Sequence, residues 1–538
     1  MSSQDFEERV QDLLEGGIAN GAHKGGFALY GNFKEEARFF QSAGYAKPRS
    51  HYKKNTIIRF ASQSKILGGF ILAKAIEEGF INLTDPIYNY VPEFGKPLEY
   101  FLEDGNVSPT KFDGKQILVS HLLSMSTGLG YYFASWGNIY KGLNGATGLP
   151  PLPFAEANRK RNEAINAAVG TELFWDWQFD PRILKKSQAL GFKLPSMKKY
   201  IGVLTSVPLL FKPGTNSLRN VCYGMDYDVL GAVVNVAINR KTGLDVWSFF
   251  KKYFLDPMDI HSFFQIGNPD KPADLKKRLA QTAFRRPKDN KQADGTSFAP
   301  DPSPEYLDQN AGKLAWTSDY PNDGFGYNES LFTEILVEND PYQGYFGAGY
   351  GGTPYDYSKF FELLFGKGVF RCVRILSENS VKFLTTPSLP EYISFGLEFL
   401  NKKGNLGVNN FLSDSAGAEN QALLAVGYNE SWCAGCCTGN GAFVDALYNT
   451  SNNTISATTL RWGSYYGTNY LFDWETGNYV MSGVQEDANS LKLPPPPASN
   501  DNSGAWAGTI FAWLQEGQLN NHSDDCCKSK VTFCHATY

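Results

Sequence analysis

The sequence predicts a mixed α/β fold of the α+β type, in which an antiparallel sheet built from both ends of the chain is flanked by helices. Three features predict this fold: a hairpin pattern near the start of the chain, a long apolar helix after it, and short β-prone segments near the other end. A chain of 538 residues, 42% of them hydrophobic, is long enough to bury a large core. A folded globular protein is therefore the expectation.

The first elements of the chain are a helix and a β-hairpin. Apolar residues recur at helical spacing at Phe6, Val10, Leu13 and Leu14. We expect Gly16 and Gly17 to end this helix. Two apolar segments, GGFALYGN and ARFFQSAGYA, follow and are joined by a polar turn at residues 32–36, which is the pattern of two antiparallel strands. This hairpin begins the predicted sheet.

A mostly buried helix is the next predicted element. Residues 62–79 carry many apolar side chains and no proline. Ser62 lies at or near the N-terminus of this helix.

The middle of the chain is interpreted as two excursions from the core. Residues 149–199 are rich in Lys, Arg and Asn and predict a helical insertion. Residues 269–321 have weak periodicity and many Asp, Lys, Pro and Gln residues, which predicts a loop-rich surface segment. Further helices are predicted at residues 357–365 and 378–384.

The last third of the chain is predicted to complete the sheet. Its short β-prone segments are ALLAVGYN, GAFVDALYN and TISATTLRWG. Four prolines at residues 494–497 then break any regular element, and the segment AWAGTIFAWLQEG after them is a helix candidate. We therefore expect a main domain over residues 1–485 and, as an appendage, a Pro-rich linker with a C-terminal extension over residues 486–538.

Charge and cysteine content limit the partners and the compartment. Lys+Arg of 50 against Asp+Glu of 55 gives a net charge of -5, which lacks the basic excess that binds nucleic acid or an anionic membrane. The N-terminus has no signal-peptide pattern, and the longest apolar stretch, residues 201–211, is shorter than the about 20 residues that span a bilayer. Eight cysteines are too few for a disulfide scaffold, so we expect thiols and a cytoplasmic location.

The strongest chemical signal is the pattern Ser62-Gln63-Ser64-Lys65 at the start of the buried helix. Residues three apart on a helix share a face, which places the Lys65 amine beside the Ser62 hydroxyl. An amine that burial has desolvated has a lowered pKa and can take the proton of the serine. The pattern is short and arises by chance in long chains, and its alternative interpretation is a helix-capping serine with a solvated lysine.

The sequence around this pattern resembles a known family. The string IIRFASQSKILGGFILAKAIEEGFINLTDPIYNYVPEF is similar to the active-site helix of the family that includes class C β-lactamases, D-aminopeptidases, family VIII esterases and fungal acyltransferases. Further segments occur in the family's order between about residues 20 and 465: ILVSHLLSMSTGL, LFKPGT, YGMDYDVLGAVVNV, FLDPMDIHSFF, GAGYGGTPYDYSKFFELLF, VRILSENSVKFL and FGLEF. The resemblance implies a beta-lactamase/transpeptidase-like fold, with a mostly helical second lobe and the site between lobe and sheet.

The resemblance also implies a catalytic tyrosine. Tyr223-Gly224-Met225 matches the family's second motif, because Asp228-Val229-Leu230-Gly231 follows at the distance found in the esterase-like branch. Tyr223 would then act with Lys65 as general base and acid. Tyr227 is its nearest rival, and a core tyrosine is the alternative interpretation.

The third motif of the family is the weakest match. Alignment back from Gly439, Gly441 and Phe443-Val444 places Cys433-Ala434-Gly435 where β-lactamases have Lys-Thr-Gly. The resemblance then implies an oxyanion hole formed by the backbone N–H groups of Ser62 and Cys436, since backbone donors survive a change of side chain. The missing cation counts against recognition of a substrate carboxylate, and so against penicillin hydrolysis.

No cofactor or metal is expected. The C-x-x-C spacing of Cys433 and Cys436 has no second C-x-x-C to complete a zinc site. The GAGYGG segment precedes no P-loop lysine, so it does not indicate nucleotide binding. His121, inside a family segment, is interpreted as structural.

The functional expectation is cleavage of a small-molecule ester or amide through a Ser62 acyl-enzyme, with water or another acceptor releasing the acyl group. Esterase and acyltransferase activity both fit this scheme. One alternative is β-lactamase or D-amino peptidase activity. The other is a catalytically inert member that keeps the fold as a binding module.

Overall fold

The computed structural model covers most of the chain. It describes residues 3–19, 21–102, 106–129, 160, 197–214, 224–285, 314–316, 340–385, 444–449, 454–464, 466–486 and 503–515.

Ten α-helices lie within these ranges. They are α1 (Ser3–Ala19), α2 (Ser64–Glu77), α3 (Val119–Leu123), α4 (Met197–Leu204), α5 (Asp226–Thr242), α6 (Val246–Phe250), α7 (Leu275–Arg278), α8 (Pro354–Phe365), α9 (Glu378–Thr385) and α10 (Ser503–Gln515). Short 3₁₀ turns are at Ala61–Gln63, Ile87–Asn89, Pro92–Phe94 and Gly114–Gln116, and a π turn is at Lys251–Leu255. Within the part of the chain that the structure describes, no helix is long and apolar enough to cross a bilayer.

The strands form one large sheet and several small ones. The strands of the first half of the chain are β1 (Gly25–Asn32), β2 (Ala37–Lys47), β3 (Ser50–His51), β4 (Ile58–Arg59), β5 (Pro97–Leu98), β6 (Phe112–Asp113) and β7 (Phe264–Gln265). Those of the second half are β8 (Ala283–Arg285), β9 (Leu314–Trp316), β10 (Tyr350–Gly352), β11 (Val369–Phe370), β12 (Val373–Arg374), β13 (Val444–Asn449), β14 (Thr454–Gly463), β15 (Thr468–Asp473) and β16 (Asn478–Gly483).

The main sheet is antiparallel and joins both ends of the chain, as predicted. Its seven strands lie in the order β13-β14-β15-β16-β1-β2-β3. Strand β1 lies inside the sheet, with Leu29 opposite Phe40 of β2 on one side and Met481 of β16 on the other. The sequence prediction did not include β15 and β16, and β16 is the strand that closes the sheet against the N-terminal hairpin. The predicted strand ALLAVGYN lies outside the described residues.

A long buried helix packs against one face of the sheet. The predicted helix at residues 62–79 is confirmed as the 3₁₀ turn Ala61–Gln63 followed by α2, whose residues are buried from Ser64 to Ala73. It contacts α5, α6 and α9, and it belongs to one core with α8 and the inner side of the sheet. The helices predicted at residues 357–365 and 378–384 are confirmed as α8 and α9.

The other face of the sheet is covered by the two terminal helices. Helices α1 and α10 share a buried apolar cluster with β1, β15 and β16, in which Trp506 is fully buried. The helix predicted in the C-terminal extension is therefore confirmed, but it is a layer of the fold and not an appendage. Packing of Trp506 removes apolar surface of α1 and the sheet from water, and this burial stabilises the position of α10.

The prediction that Gly16 and Gly17 end the first helix is wrong. Helix α1 continues to Ala19. A Cβ on Gly17 would lie 2.6 Å from the Trp506 ring, so this glycine allows α10 to approach closely. Tertiary packing explains Gly17 better than helix termination does.

The expectation that the cysteines are thiols is wrong for Cys372. This residue is disulfide-bonded and lies in the exposed turn between β11 and β12. The exposed turn leaves the sulfur of Cys372 accessible to another cysteine. Spacing along the sequence does not reveal such a pairing, because it depends on the folded structure. Most of the predicted insertion at residues 149–199 and much of the excursion at residues 269–321 lie outside the described residues.

Candidate active site

The turn Ala61–Gln63 holds the candidate nucleophile, Ser62, at the entry to α2. Ala61 has a φ of 45°, in the left-handed region that non-glycine residues rarely adopt, and such strain is often found at functional sites. The backbone around the turn is fixed from α8, because the Tyr357 hydroxyl donates to the Gln63 carbonyl at 2.9 Å. The Tyr350 N–H of β10 donates to Ser64 Oγ at 3.1 Å. Ser62 itself is half-buried.

The structure brings Ser62 and Lys65 together. The Lys65 Nζ lies 3.3 Å from Ser62 Oγ and donates to the Gly347 carbonyl at 2.7 Å. Lys65 is fully buried, so the alternative of a solvated lysine does not describe this residue. The N-cap of α2 is Gln63, and it makes no side-chain capping bond. The alternative of a simple helix-capping serine is therefore not what the structure shows.

The environment of Lys65 lowers the pKa of its amine to about 7. Burial is the largest cause, because it penalises the charged ammonium. Asp228 and then Asp226 act in the opposite direction, since a nearby negative charge stabilises the ammonium. An amine in this range is available as a base near neutral pH.

Two buried carboxylates at the start of α5 complete this environment. Asp226 and Asp228 are both fully buried. Thr127 Oγ1 donates to Asp226 Oδ1 at 2.5 Å, and the Gly347 N–H donates to Asp228 Oδ1 at 3.1 Å. In the sequence, Asp228 aligns the second motif, but the sequence pattern predicts no role for either aspartate. Their sequence signal is two acidic residues flanking Tyr227 at the head of an apolar helix.

The structure describes only one of the remaining tyrosine and third-motif candidates, Tyr227. Tyr223 and the third-motif residues Cys433, Ala434, Gly435 and Cys436 lie outside the described residues. The rival tyrosine, Tyr227, is buried and its hydroxyl donates to the Leu123 carbonyl at 3.4 Å.

On the sheet side, the turn Ala61–Gln63 contacts β14. The Gln63 Nε2 donates to the Thr468 carbonyl at 3.1 Å, which fixes the turn to the start of β15.

His121 forms a hydrogen bond with the backbone at the start of its own helix. Its Nδ1 accepts the Leu118 N–H at 3.2 Å, and burial lowers the pKa of its ring. Over the ranges that the structure describes, no group of three or more His, Cys, Asp or Glu side chains is arranged to hold a metal ion.

Sequence comparisons match the chain to known proteins. A family model described as Beta-lactamase matches residues 10–482. A mouse (Mus musculus) protein, "Serine beta-lactamase-like protein LACTB, mitochondrial", is 28% identical over 277 residues, which are 47% of this chain and 45% of the mouse protein. The match therefore spans less than half the length of that relative.

Solved structures share the fold over almost the whole chain. The unliganded simvastatin synthase LovD from Aspergillus terreus has a TM-score of 0.57 at 16% identity, covering 95% of this chain and 100% of that chain. "EstCE1, a hydrolase with promiscuous acyltransferase activity" has a TM-score of 0.53 at 16% identity, covering 95% and 98%. The D-amino acid amidase from Ochrobactrum anthropi has a TM-score of 0.53 at 13% identity, covering 96% and 100%. At these identities the likeness shows the fold alone.

Proposed function

Because the chain belongs to the beta-lactamase family, we propose that it is a serine hydrolase or acyltransferase that cleaves an ester or amide through an acyl-enzyme on Ser62. Family and fold confirm the resemblance drawn from the sequence. The observation that carries the proposal is the buried Lys65 amine, 3.3 Å from Ser62 Oγ.

The proposed first step is proton transfer from Ser62 to Lys65. With a pKa of about 7, a large share of the amine is neutral at physiological pH and carries the lone pair that accepts the proton. Ser62 Oγ forms a bond to the substrate carbonyl carbon, and collapse of the tetrahedral intermediate breaks the bond to the leaving alcohol or amine. That leaving group takes up the proton, and the acyl group stays on Ser62.

The second half of the reaction releases the acyl group. Water attacks the ester carbon in a hydrolase, and an alcohol or amine attacks it in a transferase, with the Ser62 oxygen as leaving group in both. We assign Tyr223 to share the proton with Lys65, on the strength of the second motif. The choice between water and another acceptor depends on how well the bound acyl-enzyme excludes water.

Negative charge on the substrate oxygen requires two donors. One is the N–H of Ser62, at the start of the helical segment whose dipole favours negative charge. The family resemblance implies the N–H of Cys436 as the other. Strand β14 contacts the turn, so a donor at the end of β14 is the competing assignment.

Covalent labelling of the serine tests the proposal. The intact protein is incubated with a fluorophosphonate and its mass is measured for wild type, Ser62→Ala and Ser64→Ala. Ser64 is the matched control, because it lies in the same motif but its Oγ accepts the Tyr350 N–H. One adduct in wild type and Ser64→Ala that is lost in Ser62→Ala supports the proposal. No adduct on wild type, or an adduct that persists in Ser62→Ala, overturns it, and the first result favours an inert binding protein.

A further inference from the structure

Gly347 connects the candidate base to a buried carboxylate. Its carbonyl accepts the Lys65 Nζ–H at 2.7 Å, and its N–H donates to Asp228 Oδ1 at 3.1 Å. The three residues come from α2, the segment before β10 and α5, which are far apart in the sequence. The position of the amine therefore depends on a contact between two other elements.

The absence of a side chain at Gly347 makes this contact close. A Cβ at this position would lie 2.2 Å from Asp228 Oδ2 and 2.6 Å from its Cγ, well inside contact distance. The carboxylate and the backbone of Gly347 are thus packed without room for a methyl group. Any larger residue would displace either Asp228 or the carbonyl that holds Lys65.

The titratable groups near Lys65 and Asp228 lie on α5 and on the segment before β10. Lys65 on α2 faces Asp226 and Asp228 on α5, and all three are fully buried. In the segment before β10, Tyr345 lies near both Asp340 and Asp228, and burial together with these two carboxylates raises the pKa of the tyrosine. Burial also raises the pKa of Asp340. The ammonium is therefore stabilised by the aspartates of α5 against a large desolvation cost.

We propose that Asp228 is a positioning residue of this site, which holds the Gly347 carbonyl against the Lys65 amine. The charge of Asp228 should also affect the pH at which that amine loses its proton. The expected rates of Ser62 labelling rest on the proposed function, whereas the expected titration of Lys65 is independent of it.

The two contributions of Asp228 can be separated by substitution. Asp228→Asn keeps an oxygen that accepts the Gly347 N–H but removes the charge that stabilises the ammonium. The Lys65 amine should then deprotonate at lower pH, by about one unit, the size typical of one close opposite charge. Asp228→Ala removes the acceptor as well, so the amine is no longer held and the maximal rate of Ser62 labelling should fall at least about tenfold, the direction expected when a base loses its alignment.

Asp226→Asn is the matched control. Asp226 also faces Lys65, but it accepts from Thr127 and not from Gly347. Its loss of charge should move the deprotonation of Lys65 in the same direction, which tests the effect of charge apart from the Gly347 contact.

A second route leaves every charge in place. Gly347→Ala pushes the Asp228 carboxylate and the Gly347 backbone apart and should reduce the maximal labelling rate at least about tenfold through misalignment. Gly16→Ala is its control, because a Cβ on Gly16 in α1 meets no atom within 4 Å.

The experiment measures two quantities on the full chain. One is the rate of fluorophosphonate labelling of Ser62 against pH. The other is the titration of Lys65 by NMR with ¹³Cε-labelled lysine, in which the Lys65 signal is identified by its loss in Lys65→Met. A downward shift of the titration in Asp228→Asn, with lowered maximal rates in Asp228→Ala and Gly347→Ala, supports the inference.

An unshifted titration in Asp228→Asn overturns the charge assignment, and wild-type rates in Asp228→Ala and Gly347→Ala overturn the positioning assignment. If Asp228 variants fail to fold, Gly347→Ala decides the positioning role and Asp226→Asn decides whether the α5 carboxylates control Lys65. If wild type does not label at Ser62, the proposed function fails, and the NMR titration still tests the effect of Asp228 on Lys65.

Discussion

The amine of Lys65 lies 3.3 Å from Ser62 Oγ in a site where the lysine has no exposed surface. In the proposed mechanism the Lys65 amine must be neutral to accept the proton of Ser62, and burial lowers the pKa of this amine to about 7. The proposed reaction should therefore depend on pH through Lys65.

The first prediction concerns that pH dependence. Reactivity of Ser62 should rise as the pH passes through about 7, because the amine is protonated below its pKa and cannot act as a base there. Lys65→Arg should lower the rate about 10²- to 10⁴-fold at every pH, since a guanidinium stays protonated. Ester hydrolysis measured from about pH 5 to 9 checks both, with Lys74→Arg, in a half-buried ion pair on the same helix, as control. A rate independent of pH would argue against Lys65 as the base.

The second prediction concerns the oxyanion donors. Cys436→Pro removes one backbone N–H and should lower the rate of acylation about 10²- to 10³-fold if that N–H contacts the substrate oxygen. Cys436→Ala keeps the N–H and should retain most of the wild-type rate. Circular dichroism must show the same fold for both variants. A Cys436→Pro protein with the wild-type acylation rate would move the donor to another residue, with the end of β14 as the next position to test.

The third prediction concerns a buried ion pair between the sheet and α8. Arg38 Nη2 on β2 donates to Glu362 Oε2 at 2.9 Å, with both side chains almost fully buried and Arg371 at 3.9 Å from the other carboxylate oxygen. Arg38→Met should lower the free energy of unfolding by about 3 kcal/mol, because a buried carboxylate loses its main partner. The double variant Arg38→Met/Glu362→Leu should recover most of this loss.

The decrease in the free energy of unfolding caused by Arg38→Met should also depend on pH. Burial already raises the pKa of Glu362, and removal of Arg38 takes away the main effect that opposes burial. The folded variant then holds a proton that the unfolded chain, with an ordinary Glu pKa, has released, so stability decreases as pH rises above about 4.5. Urea unfolding at about pH 5 and pH 7.5 measures this difference. A cost that is equal at both values, or a double variant less stable than Arg38→Met, would contradict the assignment.

The fourth prediction concerns the C-terminal helix. Trp506 of α10 is fully buried against Gly17 of α1 and Gly26 of β1, whose added Cβ atoms would lie 2.6 Å and 2.4 Å from its ring. Trp506→Ala should lower the free energy of unfolding by about 3 to 5 kcal/mol through the cavity it leaves. Trp513 on the same helix, half-buried with Arg9 4.0 Å from its ring centroid, is the control and should cost less on substitution by alanine. Equal, small losses for both would mean that α10 is not part of the cooperative fold.

Much of the fold could be predicted from local sequence. The hairpin, the apolar helix after it, α8, α9, β13, β14 and the helical character of residues 503–515 all follow from periodicity and β-propensity. Strands β15 and β16 were not recognised, and the glycines of α1 were misinterpreted. In these cases the deciding contact is with a residue far away in the sequence, as for Gly17 against Trp506.

The sequence alone determined the local chemistry: Ser62 and Lys65 three residues apart on one helix, within a family-like string that is now matched over residues 10–482. Helical geometry is enough to place those two side chains together. Only the tertiary structure determined the environment of the amine, because burial, the Gly347 carbonyl and the charge of Asp228 come from separate elements that meet only when the chain folds. A pKa depends on desolvation and on charges nearby in space, and neither can be read from spacing along the chain.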